Sequence, residues 1–277
     1  MSWLELLLIP LGFAVGAYGT MIGGGGGFVL VPALLLLFPN DSQSEITAVS
    51  LAVILATSAS GAVANAYRRV IDFQTGLLLA SAMVPASFAG AYAVRFLPRS
   101  LFDISFGFLL VALAIFSVVG LLEGGRAIRE PRPRRCVLVD RTIDRGDGVT
   151  SQYSYDVRQG MGLSAATGFV ATLFGVGGGI IQVPLMATFL RIPLDISVAT
   201  AQFMVIFMAA AGASIHAASG DFGSTGLIRA GLLGIGAIVG AQAGAFVSPR
   251  LTNKTIVRML SGGLITIGVG LILSPLV

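Results

Sequence analysis

Two stretches of the chain share a pattern suited to holding an anion. In "GTMIGGGGGFVLVPALL" (19–35) five glycines, Gly23, Gly24, Gly25, Gly26 and Gly27, interrupt an apolar run, and Pro32 follows. In "FGVGGGIIQVPLM" (174–186), Gly175, Gly177, Gly178 and Gly179 stand ahead of Pro184 in the same way. Each glycine costs a helix about 1 kcal/mol against alanine. Both runs are therefore expected to break and to restart as short helices at Phe28 and Ile180. A helix N-terminus offers free N–H groups and the positive end of a dipole, and glycine lets a ligand approach them closely. The prolines fall just inside the new helices, where a missing N–H costs least. The other reading of the glycines is close helix packing, the usual use of small residues in membranes.

Polar side chains inside apolar segments are costly and by default mark a site. Gln182 follows the second glycine run and Gln202 follows "VAT" in the next segment. Thr47, Ser50 and Thr200 could turn hydroxyls to the same cavity, or bond carbonyls of their own helices. Asn65 and His216 correspond at a displacement of 216 − 65 = 151 residues, and are candidates for polar lining or proton coupling. A satisfied structural histidine is the alternative. Arg229, near the start of its segment, is read as reaching back to the membrane surface. The pattern contains no carboxylate pair, no metal-spaced cluster and no nucleophile with a base, so no enzyme activity, metal or cofactor is expected.

The elements that must position these groups follow from composition. The chain has 277 residues, 55% hydrophobic and 11% charged, against about 25% charged in soluble domains. Runs such as 101–122, 225–247 and 259–277 approach the roughly 20 apolar residues that cross a bilayer, so a multi-pass membrane protein with lipid as its surroundings is expected. The first ten residues lack the basic flank of a signal peptide and are read as part of the first segment. The single cysteine, Cys136, rules out a disulfide within the chain. The net charge of +4 comes mostly from loop arginines and bears on orientation rather than on nucleic acid, for which no role is expected.

The chain is a tandem duplication. "GGGFVLVP" (25–32) matches "GGGIIQVP" (177–184) at 184 − 32 = 152, and "ITAVS" (46–50), "DFQTGL" (72–77) and "FLPRS" recur as "ISVAT" (196–200), "DFGSTGL" (221–227) and "FVSPR". The predicted fold is all-α: a membrane repeat over 1–122, a polar linker over 123–158 and a second repeat over 159–277. Each repeat has two short segments around its glycine break, re-entrant or crossing, and three long ones. The linker carries eight of the seventeen basic residues and is expected in the cytoplasm by the positive-inside rule. Within it, β-type runs flanking "DRGDG" suggest a small hairpin, and a solvated linker is the alternative. Of the two arrangements the segment count allows, inverted repeats put more of the arginines on the linker side.

With its glycine-proline motif in both halves and "DISVATAQF" (195–203) downstream, the sequence resembles the TauE/SafE family of membrane transporters, over nearly the whole chain except the linker. The resemblance implies secondary transport of sulfur-containing anions, with export of sulfite or organosulfonates such as sulfoacetate, in the cell (inner) membrane. It also implies about eight spans, which short re-entrant pieces reconcile with the five apolar segments per half. The expectation is a small anion held at the glycine tips and by Thr47, Ser50, Gln182, Thr200 and Gln202. An anion channel and a non-transporting scaffold are the rival functions, and association into homo-oligomers stays open.

Overall fold

The computed structural model describes residues 7–123, 138–144, 150–223 and 225–273. Among them the first half contains α1 (Leu8–Met21), α2 (Gly27–Leu37), α3 (Gln43–Tyr67), α4 (Phe73–Ala93) and α5 (Arg99–Glu123). A two-stranded unit, β1 (Leu138–Asp144) and β2 (Thr150–Asp156), precedes the second half. That half contains α6 (Val157–Phe174), α7 (Gly179–Thr188), α8 (Leu194–Ala218), α9 (Gly226–Val247) and α10 (Asn253–Leu273). Five described helices are long and apolar enough to cross a membrane: Gln43–Tyr67, Phe73–Phe96, Arg99–Phe116, Leu194–Ala218 and Gly226–Val247. The protein is thus a helical membrane protein. Large apolar side chains such as Leu77, Phe88, Ile235 and Phe246 project outward from α4 and α9, as expected of surfaces bathed by lipid.

Local sequence sets the helix starts. Ser42 accepts the N–H of Glu45 ahead of α3, and Asp72 accepts that of Thr75 ahead of α4. Asp156 does the same for the first turn of α6. The short helices begin where the glycine runs end. Gly23, Gly25 and Gly26 have φ of +74°, +70° and +85°, and Gly175 and Gly177 have +65° and +75°. Side chains adopt that left-handed region rarely, so the turns that end α1 and α6 need glycine.

Glycine contacts also fix how the helices lie. Gly12 and Gly16 of α1 face the backbone of Leu233 and Ala237 in α9, and Gly240 and Gly244 of α9 face Phe13 and Ala17. These two helices therefore run parallel in close contact. The second half repeats the arrangement with roles exchanged: Gly168 of α6 faces Met83 of α4, and Gly90 of α4 faces Phe169. The corresponding helices α3 and α8 run in opposite directions, since Gly61 lies at Gln202 and Gly212 at Leu51.

The chain turns back at each glycine break. Ile9 of α1 lies against Gly236 of α9, and Met21 reaches Ser248 past its end, yet after α2 the residues Phe38 and Asp41 stand at Arg229 in its first turn. In the second half, Leu190 after α7 returns to Gly160 near the start of α6. Phe174, at the far end of α6, is enclosed by Phe102 and Phe106 of α5 at ring distances of 5.3 and 5.4 Å.

The linker hairpin is real in its strands. β1 and β2 pair antiparallel, with Leu138 opposite Asp156 and Asp144 opposite Thr150. Its expected Asp-Gly turn, within 145–149, lies outside the described residues.

A Cβ on Gly16 would overlap the backbone of Ala237, whereas one on Gly231 would meet nothing within 4 Å. Gly16→Val is expected to cost about 1–3 kcal/mol or to prevent folding, as overpacking does. Gly231→Ala should leave the melting temperature unchanged or slightly raised. Thermal unfolding of the two purified variants checks this.

Candidate functional site

The two glycine breaks meet at the centre of the bundle. A Cβ on Gly177 would stand 2.7 Å from the Gly24 carbonyl oxygen, and one on Gly27 would stand 2.6 Å from that of Val176. At Gly179 it would overlap the Gly23 carbonyl, and at Gly24 the side chain of Ile180. All of Gly23 to Gly27 and Gly175 to Gly179 are buried. Close packing is thus part of the reason for glycine here, alongside the left-handed turns.

The same geometry leaves donors over. Among the described residues, no hydrogen bond takes the N–H of Gly25, Gly26, Gly27 or Phe28, or that of Gly177, Gly178, Gly179 or Ile180. These are the amides that open α2 and α7, and the helix dipoles add partial positive charge to them. Ser58 of α3 faces the first tip: its Oγ lies 3.1 Å from where a Gly25 Cβ would be, is fully buried and has no partner. An unpartnered buried hydroxyl costs about 1–3 kcal/mol, so a ligand group there would be well received.

The other expected site residues divide into separate groups. Ser50 donates to the Gly175 carbonyl at 2.7 Å, and Thr47 packs its methyl on Gly175 with its Oγ1 unpartnered. Both therefore stand at the second tip. Gln202 donates to Thr20 Oγ1 at 3.3 Å and accepts from Asn65 Nδ2 at 2.9 Å, joining α8 to α1 and α3. Gln182 donates to Ser164 Oγ at 2.8 Å, and its Oε1 is buried without a partner. Thr200 accepts the N–H of Asp72 at 3.0 Å, away from the tips. His216 bonds Asp221 through Nδ1 at 2.7 Å, at the end of α8. Arg229, read as reaching the surface, pairs with Asp41 and stacks on the Phe38 ring.

Sequence reading passed over Ser58, one of three hydroxyls in "ATSASG" (56–61), a stretch that gives no sign of which one faces the first glycine tip. It also passed over Asp72 and Asp221, although both open the duplicated "DF" motif. Asp72 is almost fully buried and receives Arg141 Nη2 at 2.6 Å and Nε at 3.0 Å, with Tyr153 Oη at 2.6 Å and Thr75 Oγ1 at 2.5 Å. Arg141 also bonds Gln74, and Tyr155 Oη reaches Thr75 at 3.1 Å. The hairpin is thus fastened on the α3–α4 junction beside α8. Burial alone would raise the Asp72 pKa, but the hydrogen bonds from Arg141, Thr75 and Tyr153 outweigh it and hold the carboxyl well below the usual range. Burial, reinforced by the bonded Asp72, pushes the Tyr153 phenol far up.

A bundle of membrane-length helices closed around two inward helix breaks is the frame of a membrane transporter. The sulfite exporter TauE/SafE profile matches residues 8–271, and the chain belongs to that family. It is similar to the probable membrane transporter protein YunE of Bacillus subtilis, 29% identical over 96% of this chain and 97% of the relative. It is also similar to the probable membrane transporter protein YdhB of the same organism, 25% identical over 90% of each chain. A probable membrane transporter of Methanocaldococcus jannaschii is 28% identical over 66% of this chain and 62% of its own length. No solved structure matches the chain.

Because the folded Asp72 pKa is depressed, its contribution to hairpin docking is fully present above the unfolded carboxylate value of about 4 and is lost as pH falls below it. Limited proteolysis within 138–156 should therefore be slow at neutral pH and faster on acidification. Arg141→Ala should make it several-fold faster already at pH 7, with the helices intact.

Proposed function

We propose that the protein is a secondary transporter that carries small sulfur-containing anions, sulfite or an organosulfonate such as sulfoacetate, outward across the cell membrane. The observation that supports this most directly is the meeting of two glycine tips whose opening amides lack described partners, with the buried Ser58 hydroxyl beside the first. Backbone amides and hydroxyls match sulfonate and sulfite oxygens, and they release an anion more readily than buried arginines would. The sulfur substrate and the direction come from the family's description as sulfite exporters.

In this reading residues 1–122 and 159–277 are inverted repeats joined by the 123–158 linker. The opposite running of α3 and α8, and the exchange of partners between α1/α9 and α6/α4, support it. The glycine hairpins would then enter from opposite faces without crossing, and the linker would lie in the cytoplasm. The tips touch backbone to backbone, so an anion enters only when they part. Rocking of one repeat on the other would part them and expose the amides to one side at a time. Thr47 and Ser50 would line the second tip, while Gln182, Gln202 and Thr200 act through the helices they join.

The test has two stages. In thermal-shift screening of purified protein, sulfite or sulfoacetate should raise the melting temperature, and taurine, sulfate, thiosulfate and carboxylates should do so less. In proteoliposomes the same anion should show saturable counterflow, and Ser58→Ala should raise the half-saturating concentration about tenfold, the loss of roughly 1.4 kcal/mol of hydrogen bonding. Ohmic currents at channel rates would overturn the carrier, and transport unaffected by Gly25→Leu or Gly178→Leu in folded protein would overturn the tip site.

A further inference from the structure

Asp72 and Asp221 are the same position in the two halves, 221 − 72 = 149 residues apart at the head of "DFQTGL" and "DFGSTGL". Each follows the end of a helix, α3 or α8, and these two helices run in opposite directions. The two aspartates therefore stand at opposite ends of the bundle, and each is held by cations. Asp72 is gripped by Arg141, which carries its charge at any physiological pH. Asp221 Oδ2 takes Arg95 Nη2 from the end of α4 at 2.7 Å and His216 Nδ1 at 2.7 Å.

His216 is the one histidine of the chain and is fully buried. With Nδ1–H donating to Asp221, the basic nitrogen of the neutral ring is Nε2, which is buried and has no partner. We infer that His216 is a proton-binding site, charged at Nε2, that sets the strength of the Arg95–Asp221 contact at one face, opposite the permanently charged Arg141–Asp72 contact at the other.

Asn65 fills the corresponding position at the other face, and it turns to Gln202 instead of Asp72. The proton-responsive grip therefore belongs to one half alone. The charged groups around His216 are few. Asp221 and Arg95 touch its cluster, and Glu45 at the start of α3 lies against the same loop at Gly223 and Gly226. Asp41 pairs with Arg229, and Arg99 pairs with Asp103, at neighbouring junctions. Asp195 and Arg158 stand at the far ends of α8 and α6. With the imidazolium formed, Asp221 has two cationic partners, and on deprotonation Arg95 alone remains charged. Burial would raise the Asp221 carboxyl, but the bonds from Arg95 and His216 bring it below its ordinary value. The imidazolium shares Asp221 Oδ2 with Arg95 and repels the guanidinium, so protonation from that face loosens the Arg95 hold that ties the loop after α8 to α4. The role of the two contacts as alternating latches rests on the transport reading above, while proton binding does not.

The single histidine makes the test direct. Protein carrying an affinity tag without histidine, ¹⁵N-labelled at the imidazole and held in lipid nanodiscs, should give one ring signal that titrates with pH. Asp221→Asn should move the midpoint about 1 pH unit lower, and Arg95→Gln should move it higher. If Asp221→Asn fails to fold, Arg95→Gln reads the same electrostatics. Arg141→Gln, at the opposite face, should lower the midpoint, because loosening one latch favours the state in which Arg95 grips Asp221 and opposes the imidazolium. A ring that does not titrate, or a midpoint indifferent to both neighbouring variants, would overturn the proton site. A midpoint indifferent to Arg141→Gln would overturn the coupling of the faces. A silent ring in protein with normal counterflow removes this inference and leaves transport standing; a titrating ring without counterflow of any anion does the reverse.

Discussion

The structure depends on one constraint: a helix broken inside a membrane protein must have its loose backbone buried in protein or facing a water-filled cavity, away from lipid. Glycine answers it twice here. It supplies the left-handed turns that end α1 and α6, and it removes the side chains that would hold the two turns apart. The contacts of Gly24 with Gly177 and of Gly23 with Gly179 are then made by main chain, and what remains around them is N–H donors. The same small residues let α1 press into α9 and α6 into α4, so each half's broken hairpin is carried by a long helix of the other half.

That interlocking explains the distribution of polar groups. Side chains near the tips are those that bind or border backbone, such as Ser50 on the Gly175 carbonyl and Ser58 opposite Gly25. Carboxamides that sequence alone would bring to the ligand instead join helices: Gln202 links α8 to Thr20 and Asn65, and Gln182 holds Ser164. Among the described residues, Asp41, Asp72 and Asp221 each find a guanidinium at a junction between helices. A charge at those ends can hold segments together without the desolvation cost of one at the centre.

The hairpin shows how an insertion becomes part of a membrane frame. Its strands are short, and a two-stranded unit alone is marginal. It is held because Arg141 and Tyr153 reach a carboxylate already pinned by Thr75 and by its own N–H to Thr200. Asp72 thereby links the cap of α4, the side of α8 and the linker in one hydrogen-bonded group.

Much of this was legible in the chain. Long apolar runs mark membrane helices through length and hydrophobicity alone, and glycine runs mark breaks because propensity there is a local property. The repeat, and with it the pairing of the two breaks, is likewise a matter of reading letters. Partners are not. Whether Gln202 meets a ligand or Asn65, and whether Asp72 caps a helix in water or closes on Arg141 from 69 residues away, depends on which helix faces are brought together. Hydrogen bonds act over about 3 Å, and only the packed tertiary structure determines which groups come within that reach.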